Sequence, residues 1–339
     1  MSSTIRDVAA FSGVSPSTVS RVINNKGVIS QKTQQKIYEA MQKLDYHPNS
    51  LAQSFAKGKA GAVLMVMDAS YTLEYANTYF LQTMFAMETV FQEHGYSLVI
   101  SSSREEGENS GILQIVYSKR ADGLILPPAT VNAKLLDSLE KAKIPFVVLG
   151  QPELGHQPYS WVDIDNAMGA SQAVDHLIEQ GYSRIAMVAG DQKAVFMQKR
   201  LAGYYEALER HELEQHKNFV IEYSDDTDAY RAEIAHLLAN KRAPDAFICG
   251  DNVMAFHTLQ AVKASGRRIP QDIGILTFDN YPLAEYTEPP LTAVEVDTFL
   301  MGQHAARILM DQISKSGSGE VVSLLPTSLN VRESTIKRG

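Results

Sequence analysis

The sequence holds one cysteine, Cys249, in 339 residues. No intramolecular disulfide can form, which suits a reducing cytoplasm, and a thiol set inside an apolar strand is inert. No stretch approaches the run of roughly 20 apolar residues that a membrane-spanning helix needs. The first residues, MSSTIRDV, lack a basic segment followed by an apolar one, so no secretory signal is read there and a cytoplasmic location is expected. Enzyme signatures are missing as well. There is no G-x-G-x-x-G or Walker loop, and HELEQH at His211 to His216 is one residue too long to put both histidines on one helical face. The nine histidines show no metal-ligand spacing. A binding protein without metal or cofactor is expected rather than an enzyme.

What is present is unevenly distributed. The net charge is −8, yet residues 1 to 59 carry eight bases against three acids, a net of +5, which leaves −13 for the rest. A basic head on an acidic body is expected if only the head meets a phosphate backbone. The length suits such a small module followed by one or two α/β domains.

Thr4 to Asn24, TIRDVAAFSGVSPSTVSRVIN, reads as two short helices joined by a tight turn at Gly13. Thr4 with Asp7 three residues on is an acidic variant of the capping box. Ser15 is an N-cap, and Pro16 presets φ at the first position of the second helix. Val8, Ala9, Val14, Val19 and Ile23 give a shared apolar face, and a third helix is expected after Ser30. Helix, glycine turn, helix is a DNA-binding plan. Ser15, Pro16, Ser17, Ser20 and Arg21 lie outside the apolar face. Short polar groups let a helix approach base edges, and an arginine pairs bidentately with guanine, so double-stranded DNA is the expected partner.

That string resembles the N-terminal signature of the lactose-repressor family of bacterial transcription factors, T-I-x-D-V-A-x-x-[AS]-G-V-S-x-x-T-V-S-R-x-[IL]-N, and the likeness continues to LDYHPNSLAQSFAKGK. The resemblance implies a head over 1–48 and a hinge helix and linker over 49–60, and it extends the DNA-contacting set to Thr4, Asn24, Asn49, Ala52 and Phe55. In the family the hinge wedges an apolar side chain, usually Leu, into the minor groove. Phe55 stands in that place here, and phenylalanine also serves as a wedge. A homodimer on a pseudo-palindromic operator is implied.

From Ala62 short apolar strands alternate with helices, which argues for parallel sheets in two Rossmann-like α/β halves. The expected fold is an all-α helix-turn-helix head plus an α/β core of two subdomains, over 61–160 with 292–325 and over 161–291 with 326–339. The family's core resembles type I periplasmic sugar-binding proteins in this way. Ligands bind beyond the carboxyl ends of such strands, so the cleft between the halves is the expected site. Asp68, Gln151, Asp163, Asp251, Asn252 and Asp279 lie at those ends, carboxylates and amides suited to sugar hydroxyls, with Phe196 an aromatic near the same loops. The resemblance matches Tyr79 and Phe80 to the aromatic pair of the family's N-P-F-F, Arg200 to its ligand-contacting R-x-x-G arginine and Asp279 to its D-[DN]. It implies a repressor of a sugar operon released by a sugar effector. VYSKRADGLIL and KRLAGYYEAL are similar to maltose-operon repressors, which favours maltose or another α-glucoside. The alternative is a catabolite-control regulator that uses a phosphorylated carrier protein as corepressor.

Overall fold

The computed structural model describes residues 3–24, 26–47, 59–68, 78–103, 110–152, 159–224, 226–314 and 319–337. In the head, α1 (Ile5–Ser12) and α2 (Pro16–Ile23) are followed by α3 (Gln31–Lys43). The Thr4 amide donates to Asp7 Oδ2 at 2.8 Å and the Asp7 amide to Thr4 Oγ1 at 3.4 Å, a reciprocal capping box. Gly13 ends α1 in the left-handed region at φ 71°, where a side chain would be strained. Ser15 and Ser30 cap α2 and α3, each accepting from the amide three residues on. Val8, Ala9, Val19, Val22, Ile37 and Ala40 form the buried core of this small unit.

Two six-stranded sheets follow. The first contains β1 (Ala62–Asp68), β2 (Ser97–Ser103), β3 (Gly123–Leu126), β4 (Phe146–Leu149), β5 (Trp161–Ile164) and β11 (Val322–Leu325), in the order β11-β5-β4-β3-β1-β2. All its pairings are parallel. On one face pack α4 (Thr78–Glu93) and α12 (Thr298–Ser314), on the other α5 (Ser110–Tyr117) and α6 (Ala133–Ala142). Covered on both sides, the strands are continuous apolar runs such as VLMV and GLIL rather than alternating ones.

The second sheet orders β6 (Ile185–Ala189), β7 (Val220–Glu222), β8 (Ala246–Cys249), β9 (Gly274–Phe278), β10 (Thr292–Glu295) and β12 (Ser328–Asn330) as β12-β10-β9-β8-β6-β7. Only β12 runs antiparallel, against β10. One face carries α7 (Asn166–Glu179) and α8 (Val195–Arg210), the other α9 (Thr227–Leu238) and α10 (Asn252–Ala264); α11 (Pro282–Tyr286) follows β9. α7 and α8 approach so closely that a Cβ at Gly203 would overlap the carbonyl of Ala167. Cys249 ends β8 fully buried, and burial pushes its thiol up to about 12.

Two strands sit in the sheet opposite to the one expected. Trp161–Ile164 closes the first sheet between β4 and β11 instead of opening the second half, and Thr292–Glu295 pairs with β9 instead of returning to the first. The chain therefore changes sheets after Ile164, after Glu295 and after Leu325. A buried parallel strand carries no mark of which sheet it joins. The change comes at the following helix cap, where Asp165 accepts from the Met168 amide at 2.9 Å to start α7.

Candidate DNA-binding surface and ligand cleft

On the head, Pro16, Ser17 and Arg21 are exposed on α2, beside the exposed caps Thr4 and Ser15. The Ser15 hydroxyl is engaged locally, 2.8 Å from Ser17 Oγ and 2.9 Å from Thr18 Oγ1. Ser20 is half-buried; its carbonyl accepts from Asn24 Nδ2 at 2.8 Å, which holds Asn24 against the helix end. Arg21 is thus the long cationic side chain on a surface otherwise made of small groups. Asn49, Ala52 and Phe55, and with them the expected hinge helix, lie outside the described residues.

In the core, strand ends from both sheets converge on Arg200 of α8. It is 6% exposed, and two of its three nitrogens are held by hydrogen bonds. Nε donates to Asn166 Oδ1 at 2.8 Å and a terminal nitrogen donates to the Gly250 carbonyl at 2.7 Å. The guanidinium carbon lies 3.8 Å from the ring centroid of Phe278 and 5.2 Å from that of Phe196, so cation–π contacts with two rings add to the clamp. Arginine suits this place because it stays charged when buried and stacks flat.

Three carboxylates surround that cation. Asp163, at the end of β5, is buried and accepts from the Gln151 amide at 2.9 Å, the Ile164 amide at 2.8 Å and Asn166 Nδ2 at 3.4 Å. Asp251 caps α10 by accepting from the Met254 amide at 2.7 Å. Asp279 follows β9 at φ 66°, a left-handed conformation rare outside glycine. Its Oδ1 is buried without a hydrogen-bond partner, as is Oδ1 of the neighbouring Asn252, whose Nδ2 donates to the Phe278 and Asp279 carbonyls. Buried acceptors left open in this way fit a ligand that brings donors.

Burial raises all three acids, and in each case Arg200 pulls the other way. Asp163 and Asp251 are also held down by the amides they accept from. Asp279 lacks that backbone support and faces Asp251, so burial pushes it up to about 6 despite Arg200 and the nearby Tyr281 phenol. His257 on α10 is lowered by burial and by the charge of Arg231. Among the described residues, one guanidinium against three carboxylates leaves the cleft acidic and rich in acceptors.

The structure thus brings together Gln151, Asp163, Phe196, Arg200, Asp251, Asn252 and Asp279. Phe80 is partly buried, packed against the core cluster on one face of the first sheet. Asp68 ends β1 and Tyr79 lies in the first turn of α4. Asn166, the Gly250 carbonyl and the Phe278 ring complete the clamp and were not among the expected ligand groups. Asn166 stands next to the strand end VDID, so an amide at that place is the signal for it. Nothing local marks the carbonyl or the ring, which matter only once β8 and β9 lie side by side.

Residues 4–49 match the family model for bacterial regulatory proteins of the lacI family, and residues 174–335 match the periplasmic binding protein-like domain. The HTH-type transcriptional regulator CelR of Thermobifida fusca is 34% identical over 334 residues, 98% of each chain. A solved complex of the regulator CelR with cellobiose covers 98% of this chain and 99% of its own at 33% identity and TM-score 0.73. The lac repressor dimer bound to operator and the anti-inducer ONPF aligns over 99% of this chain and all of its own, with 26% identity and TM-score 0.85.

Proposed function

We propose that this chain, which belongs to the lacI family of bacterial regulatory proteins, is a homodimeric repressor of a sugar-utilisation operon whose operator affinity is set by an uncharged sugar bound at Arg200. It is a DNA-binding transcriptional regulator with a helix-turn-helix head and two α/β units, and its relatives are regulators rather than enzymes. The observation that carries the sugar is the pair of open, buried acceptors on Asn252 and Asp279 beside a guanidinium already committed to Asn166 and Gly250. Hydroxyl donors satisfy those oxygens; a phosphate or carboxylate adds a further anion to a cleft that already holds Asp163, Asp251 and Asp279. A neutral polyol is the class that fits.

Among polyols, a glucose disaccharide is the best candidate. Cellobiose is the ligand in the CelR complex, and maltose is favoured by the sequence similarity to maltose-operon repressors. Phe196, 39% exposed and stacked on Arg200, offers an aromatic face to the apolar side of a sugar ring. Dimerisation is supported by large apolar groups left at the surface of both units. Leu81, Phe85 and Ile100 are exposed on the first, and Val253, Phe256, Leu283 and Tyr286 on the second. Apolar groups exposed in this way are available to be covered by a second copy of the chain. Two heads roughly double the phosphate and base contacts of one.

The test is the operator affinity of the purified chain on a pseudo-palindromic fragment from its own upstream region, at fixed salt, with and without cellobiose or maltose. A fall in affinity with either sugar supports the reading and names the ligand. Operator binding that neither sugar alters removes the disaccharide, and absence of operator binding removes the repressor.

A further inference from the structure

The chain enters the core through a short tether. The Ala60 and Gly61 amides donate to Asp122, at 3.0 Å to Oδ1 and 2.6 Å to Oδ2, so one carboxylate holds two successive backbone groups. Gly61, at φ 67°, turns the chain into β1, and its carbonyl accepts from Ser97 at 3.1 Å. The Asp122 amide in turn donates to the Ala62 carbonyl at 2.8 Å. Lys59 Nζ donates to the Tyr96 hydroxyl at 3.1 Å. Residues 59 to 62 are therefore tied on all sides, and Asp122 supplies both acceptors on one of them.

Asp122 also sits at the end of a mechanical line. The next residue, Gly123, opens β3 under α12, and a Cβ there would stand 2.9 Å from Ile313 Cδ1 and 3.0 Å from Leu309 Cδ1. The last turns of α12 thus rest on the backbone beside Asp122. The first turn of α12 follows the change of sheet after Glu295, where Thr298 Oγ1 donates to Gln82 Oε1 at 2.8 Å and the Thr298 carbonyl accepts from Thr83 at 3.3 Å. Seventeen residues of helix span about 25 Å, a rigid rod from the junction of the two sheets to the tether. Close-packed elements of this kind move as units rather than deforming.

We propose that Asp122 is a positioning residue for the DNA-binding head: its carboxylate fixes, beside the last turns of α12, the point and direction at which the linker leaves the core and so the spacing at which the two heads reach DNA. This rests on the reading of the chain as a dimeric operator-binding protein. A carboxylate is needed because an alanine leaves both amides without their acceptor. An asparagine keeps one acceptor oxygen and is expected to keep part of the function.

The full chain, Asp122→Ala and Asp122→Asn are compared for binding to the symmetric upstream fragment and to the same fragment with two base pairs inserted at its centre. Thermal unfolding of each is recorded alongside. The parent prefers the native spacing. Asp122→Ala, unfolding within a few degrees of the parent, loses at least tenfold of that preference, and Asp122→Asn lies between. Where Asp122→Ala does not fold, the comparison is made with Asp122→Asn, which must then lose at least threefold. A folded variant that keeps the parent's spacing preference overturns the proposal. A parent that binds neither fragment overturns the operator reading, and the inference falls with it.

Discussion

Replacing Asp279 by asparagine is expected to stabilise the protein at neutral pH and to do nothing at acid pH. Burial raises the carboxyl from an ordinary 3.8 to about 6, a displacement of roughly two units, and each unit corresponds to about 1.4 kcal/mol between protonation states. For an acid whose folded value lies above its unfolded one, the folded state holds more protons between the two values, so stability falls as pH rises from about 4 to 6. Above pH 7 the charged side chain therefore costs about 3 kcal/mol, and below pH 4 the cost is gone. Asparagine has the shape of the neutral acid and avoids the cost throughout. Other carboxylates titrate over the same range, so the informative quantity is the difference between parent and variant. Unfolding followed at pH 7.5 and at pH 4 should show Asp279→Asn ahead by about 3 kcal/mol at the higher pH, roughly 6–12 °C for a unit of this size, and level at the lower. A ligand hydroxyl on the open Oδ1 favours the charged acid, so sugar binding to the parent should release a proton and weaken about tenfold between pH 7.5 and pH 5. Equal pH dependence of stability in parent and variant would refute the account of Asp279 as a buried acid held out of balance.

Arg200→Ala removes the donors to Asn166 and Gly250 and should abolish the response to sugar while operator affinity stays within about twofold of the parent, because the head is untouched; loss of operator binding as well would make the residue structural. Arg21→Ala should cost about 1–3 kcal/mol at one base position and relax selectivity there, read by competition between operator variants. Gly203→Ala drives a methyl group into the carbonyl of Ala167 and should lower stability by about 1–3 kcal/mol or more, read as an earlier unfolding transition with no change in the isolated head.

The head was legible in the sequence because its instructions are local. Thr4, Asp7, Gly13, Ser15 and Pro16 act within one turn of where they stand, and each does so in the structure. The cleft was legible as a set of strand ends because Asp163, Asp251 and Asp279 each follow an apolar run. Their separate roles were not. Asp251 is largely occupied with capping α10, whereas Asp279 keeps an open oxygen, and that difference comes from which amides lie nearby in three dimensions. The assignment of Trp161–Ile164 and Thr292–Glu295 failed for a related reason: sheet membership depends on pairing partners far away in sequence, and apolar tetrapeptides are interchangeable in this respect.

The burial of Cys249 has a practical consequence for watching this molecule move. With its thiol pushed up to about 12, the thiolate fraction at pH 7 is on the order of one in 10⁵, and the side chain has no exposed surface for a reagent to reach. A cysteine introduced at Lys241, exposed in the turn after α9 and outside the apolar surface offered for dimerisation, becomes the addressable thiol of the chain without removal of the native one. In the proposed dimer, spin labels or fluorophores attached there report one distance, and attached at Tyr117 of the first unit, also exposed, they report another. The two distances, followed through a titration with sugar and operator, separate a rotation of the first unit from one of the second.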